Sequence, residues 1–310
     1  MDYSIYRLKF TAPVHFGKNS LSDSEYTLCS DTVFSALCME AVQMGTGVLD
    51  ELVDSAKASR ICLSDAFPYI GDKLLIPKPY VFVEHGEEEN SSVIKKAYKR
   101  LKYITIDDLD SYIAGSFDVL NAVQPGDLGV PSLKISASIR NDEGETTPYE
   151  VGTYSFYEGC GLYLIIGYSD DEAKSLIDSL FTQLQHSGLG GKRSSGYGRF
   201  TYEVTESGEW LKTALSGESE RYMLLNTALP VDGEPDTVIA NADYSLVKRG
   251  GFVASAGYSD SWQRKKDLIM FKSGSCFDRR FDGDIYDVST DAGSHPVYRY
   301  GKPMLMRISI

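Results

Sequence analysis

Two stretches with the apolar spacing of helices, each lying between stretches of strand character, constrain the fold of this 310-residue chain most strongly. Residues 3–11 alternate apolar and polar side chains, which predicts a strand. Apolar side chains at intervals of three and four predict one helix from Ser30 to Gly45 and another from Asp170 to His186. Extended segments lie between these helices, and another follows the second. Without its insertions, the segment 1–205 therefore has the β-α-β-β-α-β order of the ferredoxin-like fold.

The remainder of the chain has a similar but less regular order of elements. Strands are expected at 222–230, 250–255, 267–277 and 303–310, and a helix within 235–246. The stretch 207–220 is predicted to be a linker with one helical turn. We therefore predict an α+β protein of two tandem ferredoxin-like (RRM-like) domains, 1–206 and 221–310.

Charge is unevenly distributed along the chain. The formal net charge is −13, which argues against indiscriminate nucleic-acid binding, and much of the acid lies at 84–90. Cations form local clusters at 95–102, in a predicted basic helix, and at 248–249, 264–266 and 279–280. A local basic site is compatible with this total, because the field near a ligand depends on the charges beside it.

The cysteines and the hydropathy indicate the compartment. Five cysteines occur without a CxxC pair, which favours free thiols in a reducing cytoplasm over a disulfide framework or a zinc site: Cys29, Cys38, Cys62, Cys160 and Cys276. No apolar stretch approaches the length of a membrane span. We expect a cytoplasmic protein with no membrane contact, no metal and no cofactor.

The segment GLGGKRSSGYGRF, Gly188 to Phe200, is the strongest candidate for a binding site. It contains five glycines, three cations and no acid. It is not a P-loop, because Arg193 follows Gly191 and Lys192, and it lacks the Rossmann glycine spacing. Glycines expose backbone amides and allow close approach, while lysine and arginine bind phosphates. This glycine loop therefore predicts a site for an extended phosphate backbone.

The sequence offers few candidates for catalysis. Four histidines occur, and neither His15, after the first strand, nor His186, at a helix end, has a partner visible in the sequence. No esterase, zinc-protease or EF-hand motif is present. Histidines this sparse are more typical of structural or ligand-contacting roles than of catalysis.

The chain resembles one family in three segments: the opening YRLKFTAPVHFGKNSLSDSEYTLCSDTVFSALCMEA, the glycine loop, and the ending PVYRYGKPMLMRI. This is the repeat-associated (RAMP) RNA-binding superfamily of CRISPR systems, and within it subunit four of the type III-A (Csm) effector complex. The resemblance implies a non-catalytic antiviral-defence subunit that holds the 5′ tag of the crRNA. It implies contacts with the large polymerase-like subunit, with the adjacent backbone RAMP subunit and, indirectly, with target RNA near an inserted β-hairpin called the thumb.

The resemblance also assigns residues to RNA binding. It places the thumb at 136–156 and matches the start of the first helix, where Asp31 would repel an anion turned toward it. Phe16, Tyr197 and Phe252 are candidates to stack bases. The predicted RNA-binding residues are His15, Phe16, Gly17, Ser30, Gly188, Gly190, Gly191, Lys192, Arg193, Ser194, Ser195, Gly196, Tyr197, Arg199, Lys248 and Arg249.

Two other functions remain open. A metal-independent endoribonuclease of the same superfamily would process repeat RNA with a histidine or lysine acting in a 2′-hydroxyl attack, and His15 would be the candidate. An adaptor whose basic clusters contact an acidic protein face would bind no RNA.

Overall fold

The computed structural model describes residues 1–17, 20–83, 92–139, 146–255 and 257–309. The acidic run at 84–90 and the tip of the predicted thumb at 140–145 lie outside these residues. The first elements in chain order are β1 (Asp2–Phe10), β2 (Phe16–Gly17), β3 (Ser24–Glu25), α1 (Ser30–Met44), α2 (Thr46–Lys57), β4 (Ile61–Leu63), β5 (Phe67–Ile70), β6 (Lys73–Pro77), α3 (Ser92–Arg100), β7 (Tyr103–Thr105), α4 (Leu109–Ile113), α5 (Pro125–Leu128), β8 (Gly129–Ile139), β9 (Thr146–Phe156), β10 (Cys160–Tyr168), α6 (Asp171–Ser187) and β11 (Phe200–Glu206). They are followed by α7 (Glu209–Ser216), β12 (Arg221–Leu224), α8 (Pro235–Val238), β13 (Leu246–Arg249), β14 (Leu268–Phe271), β15 (Cys276–Phe277), β16 (Ile285–Asp287), β17 (Tyr298–Tyr300) and β18 (Leu305–Ile308).

One antiparallel sheet forms the centre of the amino-terminal part. Its strand order is β11-β1-β10-β5-β6-β7, and β4 pairs with the other end of β10. Ile5 of β1 therefore lies between Ile165 of β10 and Thr205 of β11. The last strand of the predicted unit lies beside the first, and the strands that follow the first helices lie beyond β10. This is the order 4-1-3-2 of a ferredoxin-like sheet, and it confirms the predicted α+β class.

Both faces of this sheet are covered, and every residue of β10 is buried. On one face, Leu164 belongs to a core shared with Phe34 of α1 and Phe181 of α6. On the opposite face, Ile165 belongs to a core shared with Met223 of β12. The segment CGLYLIIGY is therefore an uninterrupted apolar run rather than an alternating one, as expected for a strand buried on both sides.

A second helix follows α1 directly, and the sequence analysis missed it. Gly45 ends α1 as predicted, with a φ of 137°, but α2 begins at the next residue. Leu52, Val53 and Ala56 of α2 are buried in the same core as α1. The glycine thus separates two packed helices rather than a helix and a loop.

The carboxyl-terminal part is built around β12, which pairs with β15 on one edge and with β18 on the other. The first strand of this part therefore lies between its last strand and an internal strand, as strands 4, 1 and 3 do in a ferredoxin-like sheet. The remaining strands form two hairpins, β13–β14 and β16–β17. The division of the chain into domains 1–206 and 221–310 stays a prediction.

Several predicted elements of this part are shorter or displaced. The strand expected at 250–255 is wrong, because the chain pairs at Leu246–Arg249 instead and only Phe252 of that stretch forms a β-bridge. The helix expected within 235–246 is limited to the four residues of α8. The predicted linker contains α7, an eight-residue helix that buries Leu211 and Leu215 against the sheet.

The inserted hairpin predicted as the thumb is present. Strands β8 and β9 pair over eleven residues each, from Gly129 opposite Phe156 to Ile139 opposite Thr146. At its base, Tyr154 of β9 forms a β-bridge with Val14, which places the hairpin beside the turn after β1. No helix within the described residues is long and apolar enough to cross a bilayer.

Candidate nucleic-acid interface

A groove of about 750 Å³ is lined by both parts of the chain. It brings together the three sequence features predicted to form one site, namely the turn after β1, the start of α1 and the glycine loop, and adds strand β13. The amino-terminal part contributes His15, Phe16, Gly17, Asp31, Gly190, Gly191 and Arg193 to the lining, and the carboxyl-terminal part contributes residues 245–250, Lys265, Lys272 and Arg299.

The groove is basic although the chain is acidic. Among the described residues, seven cations line it against three carboxylates. The cations are Lys102, Arg193, Lys248, Arg249, Lys265, Lys272 and Arg299, and the carboxylates are Glu25, Asp31 and Asp65. A concave surface of one charge sign concentrates ligands of the opposite sign, so this groove suits a polyanion.

The glycine loop is attached to the turn after β1 by its backbone. The Gly191 amide donates to the His15 carbonyl at 2.8 Å, and the Gly198 amide donates to the Pro13 carbonyl at 2.9 Å. The loop begins at Gly188, whose amide donates to the Leu184 carbonyl and ends α6 as predicted. These bonds fix the loop at the edge of the groove.

Two positions of the loop require glycine. Gly190 has a φ of 99°, and a Cβ there would lie 2.7 Å from the Phe16 ring. Gly198 has a φ of 75°, and a Cβ there would lie 2.0 Å from the Leu189 carbonyl oxygen. Only a residue without a side chain permits both the left-handed backbone and this close approach.

The cations of the loop have different surroundings. Lys192 lies 4.7 Å from the centroid of the Tyr149 ring on the thumb, so it bridges the loop and the hairpin. Arg193 pairs at 3.4 Å with Glu40, which is only 2% exposed, and Ser187 also donates to that carboxylate. Arg199 is exposed, as are Ser194 and Ser195 at the tip of the loop.

The turn after β1 packs against the glycine loop. The His15 Nδ1 lies 2.6 Å from the Gly152 carbonyl oxygen, so Nδ1 carries a proton and donates to the thumb backbone. Phe16 is buried and packs edge-on against Phe10. Since the Phe16 ring is covered by the loop glycines, it offers no free face for a base.

Ser30 is fully buried at the start of α1. Its amide donates to Asp65 at 2.7 Å, and its hydroxyl lies 3.4 Å from the Thr227 carbonyl oxygen. Burial raises the pKa of Asp65, against the lowering effect of the Ser30 and Thr227 amides that donate to it. The predicted anion site at this helix end is therefore occupied by a carboxylate of the chain itself.

Asp31 forms a buried ion cluster that joins the two parts of the chain. Arg249 donates to its two oxygens at 2.7 and 3.0 Å, and Arg299 donates at 2.5 Å. Burial alone would raise the pKa of Asp31, but the two arginines hold it below its usual value. The repulsion of anions expected from Asp31 is thus neutralised, and Arg249 has a structural partner.

Two lysines of the groove are more accessible to a ligand than its arginines are. Lys248 is exposed and pairs with Asp267 at 2.8 Å, while Lys272 is exposed and has no ion pair with a described residue. Burial lowers the pKa of Lys265, and Arg299 adds to this effect. The sequence analysis noted the clusters 95–102 and 264–266, which contain Lys102 and Lys265, without assigning them to the site. It missed Lys272 and Arg299, which are distant in sequence from the other site residues.

No group of histidine, cysteine, aspartate and glutamate side chains within the described ranges is arranged to hold a metal ion. The four basic side chains Lys95, Lys96, Lys99 and Arg100 lie exposed on α3, outside the groove.

Comparisons with known proteins identify the family. The chain is 37% identical over 310 residues to the "CRISPR system Cms protein Csm4" of Mycobacterium tuberculosis strain H37Rv, with 99% of this chain and 98% of the relative covered. The chain belongs to the Csm4 family. A Csm4 protein of the same description from Streptococcus thermophilus is 32% identical over 326 residues, with both chains fully covered. The family model for the CRISPR Csm4 C-terminal domain matches residues 217–308.

Solved structures show the same fold. The crystal structure of a Csm3-Csm4 subcomplex of the type III-A CRISPR-Cas interference complex contains a chain with a TM-score of 0.67, 19% identity and full coverage of both chains. A Csm1-Csm4 cassette in complex with cA4 contains one with a TM-score of 0.64 and 16% identity, covering 100% of this chain and 99% of that one. Membership of the Csm4 family confirms the resemblance to subunit four of type III-A effector complexes that was drawn from the sequence.

Proposed function

We propose that the chain is a non-catalytic crRNA-binding subunit of a type III-A CRISPR effector complex, and that the groove holds the 5′ tag of the crRNA. The observation that carries this proposal is the groove itself. A glycine loop fixed by its backbone borders a concave surface on which seven cations face three carboxylates, in a chain of net charge −13.

The groove suits a single-stranded RNA backbone. Lys192, Lys248 and Lys272 offer ammonium groups to phosphates, and the exposed Ser194 and Ser195 offer hydroxyl donors beside them. These groups lie in or beside one groove of about 750 Å³, so several successive phosphates can be bound rather than one. The thumb then lies beside the RNA, because Lys192 contacts Tyr149 on β9.

The partners of the chain follow from its family. Relatives of this fold have been crystallised with Csm3 and with Csm1. We propose that this chain likewise docks the large polymerase-like subunit and contacts the adjacent backbone subunit, within the cytoplasm. Target RNA would pass near the thumb.

The environment of His15 supports a role without catalysis. Its Nδ1 is used to hold the thumb backbone, and its ring is covered by Gly17 and Gly191. No described carboxylate or lysine is hydrogen-bonded to it. A histidine in this position stabilises the site and is poorly placed to transfer protons during RNA cleavage.

The test combines Lys192→Ala with Lys272→Ala, and compares it with Lys95→Ala combined with Lys99→Ala on α3. Both double variants lose two positive charges, but only the first pair belongs to the glycine loop (Lys192) and the groove lining (Lys272). Binding of a single-stranded RNA with the sequence of the 5′ tag is measured between about 50 and 200 mM salt, because affinity that depends on phosphate contacts falls steeply over this range. The groove variant should bind at least about tenfold more weakly, with a log–log salt slope smaller by about 1.4.

The control variant should retain the wild-type affinity and slope. Equal affinity and an equal salt slope for wild type and the groove variant would refute the proposed role of the groove. Thermal unfolding of each variant establishes that both are folded. Retention of the tagged crRNA in the reconstituted complex is the second readout.

A further inference from the structure

Two aromatic side chains with most of their surface exposed lie side by side on the carboxyl-terminal part. Phe252 is 56% exposed and Trp262 is 84% exposed, and their ring centroids are 6.2 Å apart at an interplanar angle of 89°. The Arg264 guanidinium lies over the Phe252 ring, 5.6 Å from its centroid. Single exposed apolar residues are ordinary, but adjacent tryptophan, phenylalanine and arginine side chains are typical of binding sites.

The backbone beneath these rings is held in place. Phe252 and Arg264 form a β-bridge, and the Val253 amide donates to the Gln263 carbonyl at 2.9 Å. Val253 itself is buried in a small hydrophobic cluster of the carboxyl-terminal part. The rings are therefore presented on an ordered support, which lowers the entropy lost when a ligand binds.

This aromatic pair lies at the edge of the basic groove. Gly250, Ala254 and Lys265 line the groove, and they are the near neighbours in sequence of Phe252 and Arg264. An apolar protein surface would need only the aromatic rings and not the basic side chains beside them. Rings placed beside the lysines and arginines of the groove instead match a polymer that alternates anionic phosphates with flat bases.

We propose that Phe252, Trp262 and Arg264 form a stacking platform for unpaired bases of the RNA strand whose phosphates lie in the groove. This inference rests on the proposed function and extends it from phosphate binding to base binding. Stacking on aromatic rings tolerates any base, because every base has a π face, and arginine adds a cation–π contribution. The platform would fix the path of the strand where it leaves the groove.

The test compares intact RNA with an abasic oligonucleotide of the same length and charge. The full chain carrying Phe252→Ala and Trp262→Ala should bind the intact 5′-tag RNA about five- to 150-fold more weakly, which is the loss expected from the stacking of one base. Its affinity for the abasic oligonucleotide should not change. The matched control is Trp210→Ala on α7, which removes a half-exposed tryptophan that does not line the groove.

The outcomes separate the two proposals. The Lys192→Ala and Lys272→Ala variant should lose affinity for both oligonucleotides, whereas the platform variant should lose it only for the intact RNA. Unchanged affinity of the platform variant, or an equal loss on both oligonucleotides, would overturn the platform and leave the groove intact. Loss of a protein subunit from the reconstituted complex with unchanged RNA affinity would assign the rings to a protein partner and overturn it as well.

A second measurement does not depend on the alanine variants. The chain has two tryptophans, so Trp210→Phe leaves Trp262 as the only one. Its fluorescence should be quenched by the intact RNA and not by the abasic oligonucleotide. The reciprocal variant, Trp262→Phe, should show no quenching, and an unquenched Trp262 under saturating RNA contradicts the platform.

Discussion

Replacement of Asp31 by asparagine should destabilise the whole molecule, because Asp31 joins α1 to β13 and β17. Its side chain is 3% exposed and that of Arg299 is 4% exposed. Arg249 and Arg299 together donate three hydrogen bonds to its carboxylate. Asparagine has nearly the same shape, so Asp31→Asn removes the negative charge with little change in packing.

The expected cost follows from burial. Removing one partner of a buried ion pair leaves an uncompensated charge and costs about 3–5 kcal/mol. Arg249 is 23% exposed and can regain water, which favours the lower end of this range. Arg299 cannot, and its buried Nε already lacks a hydrogen-bond partner among the described residues. We expect a loss of about 3 kcal/mol, or a Tm lower by about 5 °C for a chain of 310 residues.

Urea and thermal unfolding of Asp31→Asn measure this cost, with Asp50→Asn on the exposed side of α2 as the control of equal charge change. The control should stay within about 0.5 kcal/mol of wild type. If Asp31→Asn also stays within that limit, the reasoning from the ion cluster is refuted.

The pH dependence gives an independent check. Because the arginines hold the pKa of Asp31 below its usual value, the unfolded chain binds this proton more readily than the folded one. The stabilisation is therefore present above the ordinary carboxylate pKa and is lost as the pH falls through the folded-state pKa. The difference between wild type and Asp31→Asn should shrink on acidification, and a constant difference would contradict the assignment.

Two further predictions concern the glycine loop and the histidine beneath it. Gly196→Ala should cost about 1–2 kcal/mol, because φ is 85° but a Cβ meets nothing within 4 Å, whereas Gly198→Ala should cost more and weaken tag binding, because its Cβ would lie 2.0 Å from a backbone oxygen. Equal unfolding free energies for the two variants would contradict the close approach. His15→Gln should cost about 1 kcal/mol through the lost bond to Gly152. The purified wild-type chain should leave repeat RNA intact in EDTA and target RNA intact in Mg²⁺; a discrete product that disappears in His15→Gln would instead establish an endoribonuclease.

The central sheet could be predicted from the sequence because its signals are local. The alternation in β1, the apolar run of β10 and the Gly188 cap of α6 each lie within one segment. The second helix was missed because Gly45 looks the same whether a loop or another helix follows it. The stretch 250–255 is predicted as a strand, but of its two larger apolar residues, Phe252 and Val253, only Val253 is buried.

The site could be predicted only in part, for the same reason. The glycine loop can be recognised in the sequence by its composition. The structure places Gly191 in backbone contact with His15, two residues that the sequence analysis assigned to one site. Composition does not tell which side chains are covered: those of Phe16 and Ser30, both predicted to bind RNA, are buried. Lys272 lines the groove only because of tertiary packing, and the residues around it in the sequence do not indicate this position.

The groove also shows how an acidic chain maintains a basic site. Each of its three arginines binds a buried carboxylate, Arg193 with Glu40 and the other two with Asp31. The guanidinium group suits this task because it forms bidentate bonds and stays charged when buried. Lys102, Lys248 and Lys272 are left at the surface as hydrated point charges, which suits exchangeable phosphate contacts. Arginine-to-alanine changes in the groove should therefore lower the unfolding free energy, whereas changes of Lys248 or Lys272 should mainly lower the salt dependence of RNA binding. Salt slopes that fall for the arginine variants at unchanged stability would contradict this division of roles.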